Sequence, residues 1–310
     1  MKMAIGFEGR VAVVTGSGSG LGRTHALLLA RLGAKVVVND PGASVQGTGD
    51  DRSVAQRVVD QIQASGGQAM ANLDSVVEPE GAARIVQSAL DTYGRLDILV
   101  NNAGILRDRT LAKLDLADFR AVIDVHMYGT VNCTKAAWAV MNAQEYGRIV
   151  VTTSHSGIGG SFGQSNYGTA KMAVLGLMNC LAREGIRKNV RINAIAPSAA
   201  TRMTDGLVAS VPDEYLRADL VSPAVAWLCS EQCEHTGLIV SAGGGYFSRF
   251  QMMETPGVQF DPRGEVTPDS VAEAFEKFGR LDHPVPVHPH PLGNLEHRLR
   301  ALGLLGESKQ

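Results

Sequence analysis

Cysteine is scarce, four in 310 residues (Cys133, Cys180, Cys229, Cys233), and none of the spacings is that of a zinc site. Cys229 and Cys233 stand four apart in a predicted helix, so buried or half-buried free thiols are expected. Long apolar runs are missing too: the longest are strand length, far short of a membrane span. The opening Met1-Lys2-Met3-Ala4-Ile5-Gly6 lacks the apolar stretch of a secretory signal. Charge of one sign is lacking, with 29 basic against 31 acidic residues and a net charge of -2. That balance leaves no electrostatic footprint for nucleic acid or an anionic membrane. His288 and His290 sit in a proline-rich stretch with no Cys or acidic partner, so no metal is expected. Ser308-Lys309-Gln310 departs from the Ser-Lys-Leu peroxisomal address, and a cytoplasmic setting is expected.

Glycine is abundant, 35 residues, which points to tight turns and close backbone approach to a ligand. Short β-branched runs alternate with helical stretches up to about residue 245. Val11-Ala12-Val13-Val14, Lys35-Val36-Val37-Val38, residues 68–73, Leu96-Asp97-Ile98-Leu99-Val100, Arg148-Ile149-Val150-Val151-Thr152, residues 190–195 and Leu238-Ile239-Val240 read as strands. Helices are predicted near 24–32, 53–65 and 81–93. Fully apolar strands alternating with helices imply an α/β fold, a doubly wound parallel sheet of Rossmann type. The catalytic domain is placed at residues 1–248 and a C-terminal extension at 249–310. Proline-rich segments break that extension. Thr267-Pro268-Asp269 marks a helix start within it, and a last short helix is predicted over 293–302. The extension is expected to wrap the core or a neighbouring subunit.

After the first strand comes Thr15-Gly16-Ser17-Gly18-Ser19-Gly20-Leu21-Gly22, opening into a helix. Glycines there let the backbone touch a pyrophosphate, which then rests on the helix N-terminus. The second strand ends in Val38-Asn39-Asp40, and an acid at that place accepts ribose hydroxyls and repels a 2′-phosphate. Ser17 leaves the loop without a basic residue, so NAD is expected over NADP. Asn72-Leu73-Asp74-Ser75-Val76 and Asn101-Asn102-Ala103-Gly104 follow the third and fourth strands, at the sheet edge where such folds collect ligands.

Tyr167 and Lys171 are four apart in a predicted helix and therefore share a face, with Ser154 thirteen residues before the tyrosine. An ammonium near a phenol lowers the phenol pKa and makes it a general acid/base at neutral pH. A hydroxyl such as Ser154 would hold the substrate oxygen. His155 is expected to pack or hydrogen-bond. Arg107-Asp108-Arg109 reads equally as a greeting for CoA phosphates or as a surface charge cluster.

Taken together, Thr15-Gly-x-x-x-Gly-x-Gly22, Asp74, Asn101-Asn-Ala-Gly104, Ser154 and Tyr167-x-x-x-Lys171 resemble a short-chain dehydrogenase/reductase over residues 7–245. Within that family the strings Val37-Val38-Asn39-Asp40, Asn102-Ala-Gly-Ile-Leu-Arg-Asp-Arg109, Phe162-Gly-Gln164 and Arg202-Met203-Thr204 are similar to the (3R)-hydroxyacyl-CoA dehydrogenase subgroup. That subgroup comprises units of peroxisomal multifunctional enzymes and their bacterial stand-alone relatives. The resemblance implies Tyr167 as general acid/base, Ser154 as the group polarising the substrate oxygen, and Lys171 on the nicotinamide ribose. It implies an NAD site of Gly16, Ser19, Gly20, Leu21, Gly22, Asp40, Asp74, Ser75, Asn101, Ala103, Gly104, Tyr167, Lys171, Pro197 and Ala200. Backbone over 197–202 would hold the carboxamide. Two positions depart from the family: His126 stands where many members carry asparagine, and Pro197-Ser198 replaces the usual Pro-Gly.

The implied reaction is hydride transfer from a secondary alcohol to NAD. A 3-hydroxyacyl-CoA is the first substrate, with a steroid side-chain CoA thioester as a bulky variant. The rivals are a free hydroxysteroid, a 3-oxoacyl group on acyl carrier protein and, from another class, a non-enzymatic NAD-binding regulator. Residues 111–123 and 201–211 are expected to frame the pocket. Family members pair through the helices beside the active site, so a homodimer or homotetramer is expected.

Overall fold

The computed structural model describes residues 4–201, 212–287 and 295–305. Chain order is β1 (Val11–Thr15), α1 (Gly20–Arg31), β2 (Lys35–Asn39), α2 (Ser53–Ala64), β3 (Gln68–Asn72), α3 (Pro79–Tyr93) and β4 (Ile98–Asn101). Then follow α4 (Leu116–Ile123), a single π turn (Asp124–Tyr128), α5 (Gly129–Gln144), β5 (Gly147–Thr152), α6 (His155–Gly159) and α7 (Ser165–Glu184). β6 (Val190–Ser198), α8 (Ser222–Cys229), β7 (Ile239–Gly243) and β8 (Tyr246–Phe250) complete the sheet.

The strand order is β3-β2-β1-β4-β5-β6-β7-β8, and the first seven strands pair in parallel. β1, β4 and β5 are buried along their whole length, as strands covered on both faces must be. Helices α1, α2 and α8 cover one face and α3, α5 and α7 the other. Val14, Val36, Ile62, Ile98, Val150 and Ile195 meet in the first of these layers, each at most 2% exposed. Each such side chain contributes roughly 1.5–3 kcal/mol by burial. The order reverses at β1, which has β2 on one side and β4 on the other. This places a crevice at the carboxyl ends of β1, β2 and β4.

Three sequence expectations need correction. β8 was not anticipated; it follows β7 through Gly244-Gly245, and a two-residue connection returns the chain antiparallel. Its Tyr246 and Phe247 are exposed at the sheet edge, so it lacks the apolar signature of the inner strands. α1 begins at Gly20, not near residue 24, because the glycine loop itself is the first helical turn. Cys233 lies beyond the helix, which stops at Cys229 where Ser230 turns extended and its Oγ donates back to the Trp227 carbonyl (2.8 Å). All four cysteines are free; Cys133, Cys229 and Cys233 are buried and Cys180 is exposed.

The chain divides into two compact units, Met1–Arg249 and Phe250–Gln310. In the second, β9 (Met253–Glu254) pairs antiparallel with β10 (Val285–Pro286), and α9 (Pro268–Phe278) lies between them in sequence. Thr267 caps α9 through a reciprocal box: its Oγ1 accepts from the Ser270 N–H and the Ser270 Oγ accepts from the Thr267 N–H, both at 3.1 Å. A short α10 (Leu295–Ala301) falls within the range predicted for the last helix. Among the described residues no helix is long and apolar enough to cross a membrane.

Candidate active site

The crevice is built by three loops that lock to one another. Gly16 and Gly20 hold φ of 61° and 54°, a left-handed backbone that side-chain-bearing residues rarely adopt. The Thr15 Oγ1 accepts from the backbone N–H groups of Asn102 and Ala103, both at 3.1 Å. The Asn102 side chain answers by donating to the Thr15 and Gly16 carbonyls at 3.1 and 3.0 Å. The result is a cavity of about 250 Å³ lined by Gly16, Ser19, Gly20, Leu21, Asp40, Ser75, Ala103 and Gly104, together with Asn102, Val45, Val76 and Ile105. No acidic residue occupies the first turn of α1, so its positive end faces the cavity without a competing anion. A glycine-lined cradle at a helix N-terminus fits a dinucleotide pyrophosphate. Asp40 stands at the rim, accepting from the Gly18 N–H (2.9 Å) and the Gly42 N–H (2.8 Å).

Other residues from the predicted cofactor set face elsewhere. Gly22 packs inside the loop, where a Cβ would come within 2.5 Å of the Asn102 amide nitrogen. Asp74 pairs with Arg84 (2.7 Å) and accepts from the Asn72 amide (3.0 Å), leaving its neighbour Ser75 to line the cavity. Asn101 is buried and donates to the Thr134 hydroxyl at 3.0 Å. Pro197 continues β6 opposite Ala242, and the Ala200 N–H donates to the Leu216 carbonyl (2.7 Å). Residues 202–211, which include the expected pocket segment and Arg202-Met203-Thr204, lie outside the described residues.

Tyr167 and Lys171 sit one turn apart near the start of α7. Lys171 is buried; its Nζ donates to the Thr152 carbonyl (2.7 Å) and lies 5.5 Å from the Tyr167 ring centre. Ser154 caps α6, its Oγ accepting from the Ser156 N–H (3.1 Å), and it also hydrogen-bonds the Tyr167 phenol. The shift at Tyr167 runs upward, opposite to the lowering expected from its lysine neighbour. Burial raises its pKa, the bond to Ser154 lowers it, the charge of Asp108 raises it, and the net shift is upward. Lys171 is driven down to about 7 by the same burial, so its ammonium is only partly present at neutral pH. A shared helix face brought the pair together, and burial is the largest cause of the shift at each.

Three residues of the site were named in the sequence only within strings or as a departure, without a role beside Tyr167. His126, on the π turn, packs edge-on against Tyr167 with ring centres 5.1 Å apart. Its Nε2 lies 2.8 Å from the Ile105 carbonyl and 3.1 Å from the Ile105 N–H, while its Nδ1 is buried without a partner. Burial first, then the charge of Lys171, pushes its pKa well down, so it is neutral. Gln164 immediately precedes α7; its amide donates to Asp108 Oδ2 (2.6 Å) and its carbonyl accepts from the Ser156 hydroxyl (2.7 Å). Asp108 thus turns inward, whereas Arg107 binds Asp118 (2.8 Å) and the Gln46 carbonyl (2.9 Å), and Arg109 stays exposed. His155 hydrogen-bonds Ser241 (3.2 Å).

A glycine-lined crevice and a Ser154/Tyr167/Lys171 cluster, linked where His126 touches both Gly104 and Tyr167, define an alcohol oxidoreductase. The sequence comparison agrees: residues 10–211 match the short chain dehydrogenase family, and the chain belongs to it. A short-chain type dehydrogenase/reductase of Mycobacterium tuberculosis is 47% identical over 276 residues, covering 89% of this chain and 95% of the relative. Peroxisomal multifunctional enzyme type 2 of Drosophila melanogaster is also 47% identical, over 256 residues and 83% of this chain. The chain spans about two fifths, 42%, of that multifunctional relative's length. Among solved structures, a short chain dehydrogenase from Mycobacterium avium superposes with a TM-score of 0.78 at 40% identity, covering 91% of this chain and 99% of the other.

Proposed function

We propose that this protein is a 3-hydroxyacyl-CoA dehydrogenase that prefers NAD. The observation that carries the reading is the cluster of Ser154, Tyr167 and Lys171, held against the crevice by His126 and Ile105. In the oxidative direction the Tyr167 phenolate takes the hydroxyl proton of the substrate. Ser154 donates to the same oxygen as it becomes a carbonyl. Lys171 holds ribose hydroxyls and, once those acceptors stabilise its ammonium, favours the phenolate. The oxidised nicotinamide supplies the hydride acceptor and a positive charge of the same effect. Gly16, Ser19, Gly20 and Leu21, which line the cavity, would hold the pyrophosphate. Asp40, at the rim with no cation paired to it among the described residues, favours ribose hydroxyls over a phosphate.

The acyl-CoA assignment rests on the subgroup strings and on an apolar rim near the site. Leu111 and Phe162, each two residues from the Arg109–Gln164 bridge, are 71% and 94% exposed. Exposed apolar side chains of that size beside a catalytic cluster suit an acyl chain. Following NADH absorbance with racemic 3-hydroxyacyl-CoA thioesters of graded length, a steroid side-chain thioester and free hydroxysteroids tests the reading. Turnover confined to free steroids overturns the thioester assignment, and NAD binding without turnover of any alcohol overturns the enzymatic one.

A further inference from the structure

The Asp108 carboxyl group has no ion-pair partner among the described residues. Its Oδ1 is buried without a hydrogen-bond partner. The arginines on either side turn away: Arg107 is spent on Asp118, and the Arg109 guanidinium reaches only the Asp108 main-chain carbonyl (3.3 Å). Its Oδ2 is held by the Gln164 amide at 2.6 Å, and Gln164 is held in turn by the Ser156 hydroxyl, which also accepts from Ser161 (3.0 Å). The adjoining strap is tied down again where Asn166 donates to the Arg107 carbonyl (2.9 Å) and Arg109 bridges to Gln164. An anion fixed this firmly, with one oxygen shut off from water, keeps its field.

We propose that Asp108 is a positioning residue of the proton-transfer site: it locks Gln164 at the head of α7 and supplies the negative charge against which the Tyr167 phenol works. Ser154 from the α6 cap hydrogen-bonds that phenol, His126 from the π turn packs edge-on against it, Lys171 lies 5.5 Å from its ring centre, and Asp108, bonded to Gln164 three residues before Tyr167, acts on it through its charge. Ser154 and the neutral His126 carry no charge, so among these described groups Asp108 is the anion set against the Lys171 ammonium that ribose hydroxyls would stabilise. Its charge disfavours the phenolate and so makes Tyr167 the stronger base when the phenolate forms. Two cations, Lys171 and oxidised nicotinamide, would otherwise leave a phenolate too stable to pull a proton from an alcohol.

The inference rests on Tyr167 being the base, and the experiment separates the two. The pH dependence of kcat/KM for alcohol oxidation is measured for the wild type, Asp108→Asn, Asp108→Glu and Tyr167→Phe. Asp108→Asn keeps an acceptor for Gln164 and removes the charge. Its rising limb is expected to move to lower pH, so that one unit below the wild-type midpoint it reaches a fraction of its own plateau about twofold or more above the wild type's. Asp108→Glu keeps the charge and is expected to hold the limb in place. An unmoved limb in Asp108→Asn, or an equal movement in Asp108→Glu, overturns the inference. Turnover retained by Tyr167→Phe instead overturns the base assignment beneath it. Should Asp108→Asn not fold by thermal melting, Asp108→Ser, with room for a water to bridge to Gln164, is read the same way.

Discussion

Gly104 is where the crevice and the proton-handling cluster come closest, and replacing it with alanine tests whether they are one device. A Cβ at Gly104 would lie 3.0 Å from His126 Nδ1 and 3.1 Å from Nε2, and closer still to the carbon between them. Comfortable contacts are about 3.5–4.0 Å, so the ring must move by about 1 Å or more. His126 is 2% exposed and has no space to yield into. Overpacking of this kind costs about 1–3 kcal/mol. Moving the ring also breaks its hydrogen bond to Ile105 in a dry place, about 1–3 kcal/mol more. Even the low end of that sum, about 2 kcal/mol, lowers Tm by about 4–8 °C for a domain of this size. Tyr167 packs on the displaced ring, and a misplacement of about 1 Å at a reacting group costs on the order of 10²-fold in rate. Scanning calorimetry reads the first effect and NADH absorbance, well below Tm, the second. A Tm within about 1 °C and a turnover within about twofold of wild type would refute the crowding argument. A lowered Tm with unchanged turnover would show that His126 supports the fold but does not place Tyr167.

Other outcomes follow from the same geometry. Tyr167→Phe is expected to lose nearly all turnover while still binding NAD by fluorescence titration; substantial residual activity rules out the assigned base. Asp40→Ala should sharply narrow the NAD preference, and an unchanged ratio of kcat/KM for NAD and NADP would sink the rim argument. His25 is buried against Ser222 (2.8 Å) and its pKa is lowered by burial to about 3. A folded value below the unfolded 6.5 means the unfolded chain binds the proton first, so stability falls as pH drops from about 6.5 towards 3. The slope is about 1.4 kcal/mol per pH unit for this one group. His25→Gln should flatten the Tm-against-pH curve between pH 6.5 and 5 (about one proton's worth), and a curve of unchanged slope would count against it.

The inner sheet was legible because its strands are buried on both faces, which forces continuous β-branched runs such as Val11-Ala12-Val13-Val14. β8 was not, since an exposed edge strand carries no such run. The motif residues of the site could be read because each is fixed by a local rule: glycines at a turn, an acid at a strand end, a tyrosine and lysine one turn apart. Asp108, Gln164 and His126 escape such rules. Asp108 and Gln164 meet across 56 residues of sequence, and the π turn beneath His126 is a matter of hydrogen bonding rather than composition. The upward shift at Tyr167 was missed for a related reason, as spacing reports who shares a face but not how dry that face is.

The strap from Asn102 to Arg109 is pinned at one end to Thr15 and at the other to Gln164, with Ile105 held by His126 between them. Such a strap behaves as a ruler. Its side chains can be exchanged one at a time, and each exchange is felt locally. Dropping a single residue would draw the far end back by up to about 3.3 Å. Asp108 would then leave Gln164, although every chemical group were still present. For this segment the number of residues is a tighter specification than their identity.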